Sequence, residues 1–216
     1  MAIRPATHRA SGLARREALL RATVEIVAEN GVGGATHRAI AQRAGVPLST
    51  TSYFFASLDE MVTEALSGVV ARSVERLGEV VAEIADEQPS RADALERLVD
   101  VLLALSDVEN AAQFEAYLDA SRRPDLHAAV RGAVTAFEEV ARAALLAAGS
   151  PRADEGARAF VALADGFALN RLAWQRGPSD RAALADAMRA LFRGYAMAES
   201  ERADWDERMG RPVGSG

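Results

Sequence analysis

The side chains with the most evident chemistry in this sequence are short hydroxyls that occur together, at Ser49, Thr50, Thr51 and Ser52, directly before Tyr53. Short polar side chains let a helix approach a nucleic acid closely and exchange hydrogen bonds with its phosphates and base edges. The stretch therefore has the composition of a surface that reads DNA. The same residues would also suit an ordinary helical turn whose hydroxyls face water, so composition alone leaves both interpretations open.

Two short helices joined by a tight turn are expected to position these hydroxyls. Thr36 can cap the first helix, and Gly45 stands where the chain leaves it, a position that favours a residue tolerant of positive φ. Pro47 presets φ for the first turn of the second helix. Ser57 and Glu60 have the spacing of a capping box that opens a third, much longer helix. This order is typical of a helix-turn-helix, in which the second helix enters the major groove.

A set of residues in this stretch stands in the order found in a known family of regulators. The set comprises Thr36, Ile40-Ala41, Ala44-Gly45-Val46, Tyr53-Phe54-Phe55 and Ser57. Over about residues 12–66 the chain thereby resembles the N-terminal signature of the TetR family of repressors. The resemblance implies a DNA-binding head followed by a divergent helical part that binds a ligand.

Three positions depart from that family's usual pattern. Pro47 replaces the usual Ser, Ser52 stands where Tyr is common, and Leu58 replaces a Lys that is typically a phosphate contact. The resemblance therefore predicts a phosphate grip that is weaker here or supplied by other residues.

The predicted DNA contacts divide into two groups. Base or groove contacts are assigned to Arg38, Thr50, Thr51 and Tyr53, and phosphate contacts to Thr36 and Ser49. The charge distribution agrees with this assignment. Residues 1–58 hold seven Arg and three Glu, giving +4, whereas residues 59–216 hold eighteen Arg and twenty-eight acidic residues, giving −10. A basic head on an acidic body is expected when one part alone meets phosphate.

The rest of the chain is expected to be helical, which makes the fold class all-α. Helix-forming residues dominate, and no alternating run of β-branched residues is long enough to compete. The predicted parts are a helix-turn-helix domain at 1–57, a ligand-binding and dimerisation domain at 58–199 and a tail at 200–216. Residues 1–10 are expected to be an unstructured arm, with Ser11 capping the first helix. The later helices are predicted at 58–84, from 90 onward, and at 109–121, 125–148, 154–176 and 179–198.

The body contains one group of residues that could surround a small, largely apolar ligand. Its members are Phe114, Tyr117, Phe137, Phe167 and Trp174, with Asn170 as a polar member. Each aromatic residue taken singly is more often a core residue. Asp165, flanked by apolar residues, could serve as a counter-charge for a ligand or as an interface group paired with Arg. The helix that carries it is apolar nearly all round, which predicts burial on two sides and hence a homodimer.

The sequence indicates a regulator rather than an enzyme. Its three histidines have no partner at i+3 or i+4, and no phosphate loop or nucleophile motif occurs. The absence of cysteine removes disulfides and thiolate metal sites, so no metal and no cofactor are expected. No window approaches a membrane span, and a cytoplasmic location is predicted. The function expected is a repressor released from a palindromic operator by a small ligand. The alternative is a carrier of a lipid or drug-like molecule with a degenerate DNA-binding head.

Overall fold

A computed structural model describes residues 6–122, 124–196, 201, 204–205 and 208–209, with the side chains of residues 6–11 and 125 outside that description. Every regular element in these residues is helical, which confirms the all-α prediction. The α-helices in chain order are α1 (Ala6–Asn30), α2 (His37–Arg43), α3 (Ser49–Phe54), α4 (Leu58–Glu87), α5 (Arg91–Leu103), α6 (Asp107–Ala120), α7 (His127–Ala147), α8 (Ala153–Ala173) and α9 (Pro178–Ala196). Short 3-10 helices occur at Val32–Gly34 and Pro124–Leu126.

The start of α1 corrects the prediction of an unstructured arm. The helix begins at Ala6, so Ser11 lies within it and is not its cap. Residues 6–16 are mostly Ala, Arg and Leu, which are strong helix formers, and a single glycine, Gly12, does not interrupt them. Arg4 and most of the predicted tail at 200–216 lie outside the described residues.

Most of the later helices begin and end within a few residues of the predicted positions. Ser90 caps α5 by accepting the Asp93 N–H at 3.2 Å, as its spacing predicts. Helix α6 begins two residues before the predicted Glu109, because Ser106 accepts the Glu109 N–H and acts as the cap. The predicted cap at Ser179 is wrong. Helix α9 begins one residue earlier, at a proline, and the Ser179 hydroxyl instead donates to the Arg176 carbonyl at 3.1 Å.

The chain forms two compact units, and neither is one continuous segment. The first comprises the chain up to Glu75 together with Ala104–Thr135 and Ala168–Ala173. The second comprises Arg76–Leu103, Ala136–Phe167 and the chain from Trp174 onward. The predicted boundary at residue 57 falls inside the first unit, between α3 and α4.

The core of the first unit joins the three N-terminal helices to the start of α4 and to α6. Leu19, Val27, Ile40, Met61 and Val69 are almost completely buried in it. Ala112 of α6 is fully buried in the same core. Helix α6 packs along α1 within this unit. Helices α1 to α3 therefore share their core with a helix from much later in the chain.

The core of the second unit is formed where α5 packs against α9. Val99, Leu184 and Met188 are buried there, and Phe160 and Phe167 of α8 pack against them. Arg181 of α9 forms ion pairs with α5 at the surface of this contact. Among the described residues, no helix is long and apolar enough to cross a membrane.

Candidate DNA-binding surface

The turn between α2 and α3 has the geometry that the sequence predicts. The Thr36 hydroxyl oxygen accepts the Ala39 N–H at 3.1 Å and caps α2. Gly45 follows α2 with φ of +65°, in the left-handed region that favours glycine. Val46 then packs against the first core, and its N–H donates to the Ala41 carbonyl at 3.0 Å. The turn is thus held by one cap, one left-handed residue and one apolar anchor.

Helix α3 is short, and its first turn begins before its first helical residue. The Pro47 carbonyl accepts the Thr50 N–H at 2.9 Å, so the chain curls into the helix from Pro47 onward. After α3, Ser57 accepts the Glu60 N–H at 3.0 Å, while the Glu60 carboxylate accepts the Ala56 N–H. This arrangement fixes the direction in which α4 leaves the head.

The predicted contact residues differ in their exposure to solvent. Thr36, Arg38 and Ser49 are exposed, and Thr50 is half-buried. Tyr53 is 67% exposed, with its ring edge-to-face on the ring of Phe54 at 4.8 Å. These positions can be reached by a ligand as large as a DNA duplex.

The structure corrects the predicted base contact at Thr51. Its side chain is fully buried, and its hydroxyl donates to the Leu48 carbonyl at 2.8 Å. Position 51 faces the first core because it lies one helical turn from Phe55, which is also buried. A hydroxyl in the core needs an acceptor, and the nearest carbonyl of its own turn supplies one. Thr51 therefore supports the helix and does not face a ligand.

Two residues on the outer side of α3 were missed by the sequence assignment. Ser52 is exposed, and the side chain of Leu48 is 53% exposed. Leu48 and Ser52 are four residues apart, which puts them on one helical face. That spacing was available in the sequence, but the wrong outward placement of Thr51 obscured it.

The arginines of the head differ in the ion pairs that they form. Arg43 pairs with Glu29 at 2.7 Å and with Glu25 at 3.1 Å, which ties the end of α2 to α1. The hydrogen bond from Arg43 lowers the pKa of Glu29 below its usual value. Arg16 pairs with Glu64 at 2.5 Å. Arg38, by contrast, forms no ion pair within the part of the chain that the structure describes, and its guanidinium is exposed.

The predicted ligand group is divided between the two units. Phe114, Tyr117 and Asn170 belong to the first, and the structure brings two of them together. The rings of Phe114 and Tyr117 lie edge-to-face at 6.0 Å, and the Gln113 amide donates to the Tyr117 hydroxyl at 3.0 Å. Phe114 is buried, whereas Asn170 is exposed.

The other three predicted ligand residues belong to the second unit. Phe137 is half-buried on α7, and Phe167 packs against the core between α5 and α9. Trp174 is 66% exposed just after the end of α8, and the Arg176 guanidinium lies 4.5 Å from the centre of its ring.

Asp165 lies half-buried in the middle of α8. Burial raises the pKa of its carboxyl to about 6. It forms no ion pair with any residue that the structure describes. The described residues also contain no cluster of His, Cys, Asp or Glu that could hold a metal ion.

Comparison with known proteins relates both the sequence and the fold to one family. Residues 89–194 match the family profile described as "Tetracyclin repressor-like, C-terminal domain". A transcriptional regulator from Rhodococcus sp. Rha1 superposes with a TM-score of 0.68 at 26% identity, over 85% of this chain and 98% of that one. A member of the TetR family from Streptomyces coelicolor A3 superposes with a TM-score of 0.62 at 29% identity, over 82% and 97%. Over residues 89–194 in sequence, and over more than four-fifths of its length in fold, the chain is thus similar to TetR-family regulators.

A third similar structure holds a bound dye. The multidrug binding protein EbrR, solved in complex with proflavin, superposes with a TM-score of 0.53 at 28% identity, over 82% of this chain and 99% of that one. A comparison with curated protein sequences finds no match.

These similarities support a DNA-binding transcriptional regulator and not an enzyme. The resemblance to the TetR N-terminal signature covers about residues 12–66, and the family profile covers residues 89–194. The departure at Leu58 has a structural counterpart, because this side chain packs against the first core. A residue so placed supports the start of α4.

Proposed function

We propose that this regulator is a repressor that binds a palindromic operator as a homodimer and is released by a small, largely apolar ligand. In this proposal the head at 1–57 binds DNA and the body at 58–199 binds the ligand and dimerises, with 200–216 as a tail. Because the operator is chromosomal DNA, the protein is proposed to act in the cytoplasm.

Side chains of α2 and α3, together with the Thr36 cap, supply the DNA contacts. Arg38, Thr50 and Tyr53 contact bases or the groove, and Thr36 and Ser49 contact phosphates. The exposure of Arg38 and its lack of an ion pair among the described residues support its role, since its donors remain available to base edges. Arg43 is less suited to such a contact, because two carboxylates already engage it.

The homodimer forms through α8 and α9. Within α8, the residues buried in the single chain are Ala153, Gly156 and Ala157, all near its start. The remainder of this largely apolar helix is at least partly exposed, and Leu169 is 54% exposed. A second copy would bury that surface. Two recognition helices related by the dimer axis would then enter major grooves about 34–36 Å apart.

The packing of helix α6 is the observation that supports the proposed response to ligand. Ala112 is buried in the core of the DNA-binding head, and the aromatic residues Phe114 and Tyr117 stand on the same helix. Arg72 of α4 also pairs with Glu109 of α6 at 2.6 Å. A ligand that displaced the aromatic pair would therefore shift a helix on which the head is packed. Coupling of this type typically changes affinity by a factor of about 5–150.

The proposal is tested by measuring an apolar probe and operator together. The dye 1-anilinonaphthalene-8-sulfonate, whose emission rises on burial in apolar sites, is titrated into the protein with and without saturating operator. Operator is expected to weaken the binding of the dye by about 5–150-fold, because coupling between two sites is reciprocal. Phe114→Ala is expected to weaken the dye, whereas Leu13→Ala, at an exposed position on α1, serves as the matched control.

Two outcomes would count against this function. Dye binding that is equal with and without operator would contradict release by an apolar ligand, since equal affinity for two states shifts neither. Indifference to every DNA sequence would instead favour the carrier with a degenerate head.

A further inference from the structure

The outer face of α3 carries one large aliphatic side chain among its hydroxyls. Leu48, Ser49, Ser52 and Tyr53 are exposed, and Leu48 is the residue among them with no hydrogen-bonding group in its side chain. Its apolar neighbours in sequence behave differently. Val46, Phe54 and Leu58 all pack against the first core, whereas Leu48 does not. The core therefore gives no reason for a leucine at this position.

Two hydrogen bonds from Thr51 fix the backbone of Leu48. The Leu48 carbonyl accepts both the Thr51 hydroxyl, at 2.8 Å, and the Thr51 N–H, at 3.1 Å. Because Thr51 is fully buried, both hydrogen bonds are anchored in the core. Leu48 already has helical backbone angles, with φ of −53° and ψ of −38°. Its side chain is therefore presented outward from a fixed point, on the same face as Ser52.

The chemistry of the major groove specifies what such a side chain can recognise. Base edges there present hydrogen-bond donors and acceptors and one apolar group, the C5-methyl of thymine. A leucine cannot pair with the donors and acceptors, but it can pack against that methyl. We infer that Leu48 contacts a thymine methyl and makes a thymine specificity-determining in each operator half-site. The inference rests on the proposed contact between α3 and the major groove.

The test removes the methyl without changing base pairing. An operator is first selected from random DNA with the unmodified full-length protein, and each thymine is then replaced singly by uracil. At one position in each half-site, uracil is expected to weaken binding about fourfold, the equivalent of one methyl group returned to water. Replacement in both half-sites is expected to weaken it about fifteenfold, since two such groups are lost.

Variants of the protein assign that sensitivity to a side chain. Leu48→Ala is expected to bind thymine and uracil operators equally, while Leu48→Met, which keeps an apolar side chain, retains the difference. Thr50→Ser removes the methyl of a neighbouring threonine, which could also pack on a thymine methyl, and loss of the uracil effect in this variant but not in Leu48→Ala would overturn the inference. Leu118→Ala, at a comparably exposed leucine on α6, is the control outside α3.

The outcomes separate this inference from the proposed function. If the protein binds its operator but no uracil weakens binding, or if Leu48→Ala keeps the full uracil effect, the inference is overturned while DNA binding stands. If random DNA yields no preferred sequence, the proposed repressor function itself fails. A uracil effect that disappears specifically with Leu48→Ala supports the inference.

Discussion

At the scale of single residues, Asp165 is the least expected side chain in the body. It is half-buried on α8 and has no ion pair among the described residues, and burial raises the pKa of its carboxyl to about 6. A carboxylate is harder to desolvate than a carboxylic acid, so the folded protein holds the proton more tightly than the unfolded chain does.

This shift predicts how stability depends on pH. Between about pH 4 and pH 6 the folded state binds more protons at Asp165 than the unfolded state, so its contribution to the free energy of unfolding falls as pH rises and stays low above pH 6. Asp165→Asn lacks this ionisation. It is expected to be more stable than the unmodified protein by about 1–3 kcal/mol at pH 8 and about equally stable at pH 4.

Urea unfolding at a series of pH values measures this difference. Asp86→Asn, at an exposed carboxylate of α4, is the matched control. If Asp165 instead pairs with Arg of a second copy, its replacement would destabilise the protein at pH 8, which would contradict the predicted sign.

At the scale of elements, the turn between α2 and α3 depends on the backbone of one residue. Gly45 has φ of +65°, and an added Cβ there would meet no atom within 4 Å. The effect of Gly45→Ala should therefore come from the cost of a left-handed backbone for alanine alone. The substitution is expected to destabilise the protein by about 1–2 kcal/mol. Gly78→Ala is the matched control within α4, where space is also open; it should stabilise by about 0.5–1 kcal/mol. Equal effects of the two substitutions in thermal or urea unfolding would contradict this account of the turn.

Local signals of this type explain why most helix ends could be predicted. Gly45, Ser57 and Ser90 act through contacts within a few residues, so their roles are visible in the sequence alone. Which side chains of α3 face outward was harder to predict. Thr51 and Ser52 are both short hydroxyl residues, and only packing against the first core turns one inward and the other outward.

Contacts between distant segments were not predictable in the same way. The apolar spacing of α6 predicts a helix, but nothing in it indicates that Ala112 is buried in the same core as Leu19 and Ile40. An alanine carries almost no pattern of its own, because it suits nearly any helical position. The structure thus shows that α6, as well as the start of α4, packs against the head.

At the scale of the whole molecule, the proposed homodimer depends on the exposed apolar surface of α8. Leu169 is the better probe of this surface, because Phe167 packs against the second core and its substitution would disturb folding. Leu169→Arg is expected to produce a folded monomer, since an interface tolerates an unpaired charge poorly. Leu13→Arg, at a similarly exposed leucine on α1, is the control and should remain dimeric. Sedimentation velocity distinguishes the two states, and an unmodified protein that sediments as a monomer would contradict the arrangement.

The division of charge between head and body also belongs to this scale. The head carries +4 and the remainder −10, so attraction to DNA is concentrated on one end of the sequence and repulsion on the rest. We therefore expect specific binding to depend on a few arginines of the head. Arg38 is one of them, since it is exposed and forms no ion pair with the described residues.

Affinity for the selected operator tests most directly whether exposed side chains of α2 and α3 read operator DNA. The dissociation constant is measured at fixed salt for the unmodified protein, Arg38→Ala, Tyr53→Ala and a control, Arg131→Ala. Arg131 is an exposed arginine on α7, so its replacement removes one positive charge, as Arg38→Ala does. Loss of a base contact costs about 1–3 kcal/mol, so Arg38→Ala and Tyr53→Ala should each bind about 5–150-fold more weakly, and Arg131→Ala should bind unchanged. Binding by Arg38→Ala and Tyr53→Ala that equals that of the unmodified protein would contradict the account.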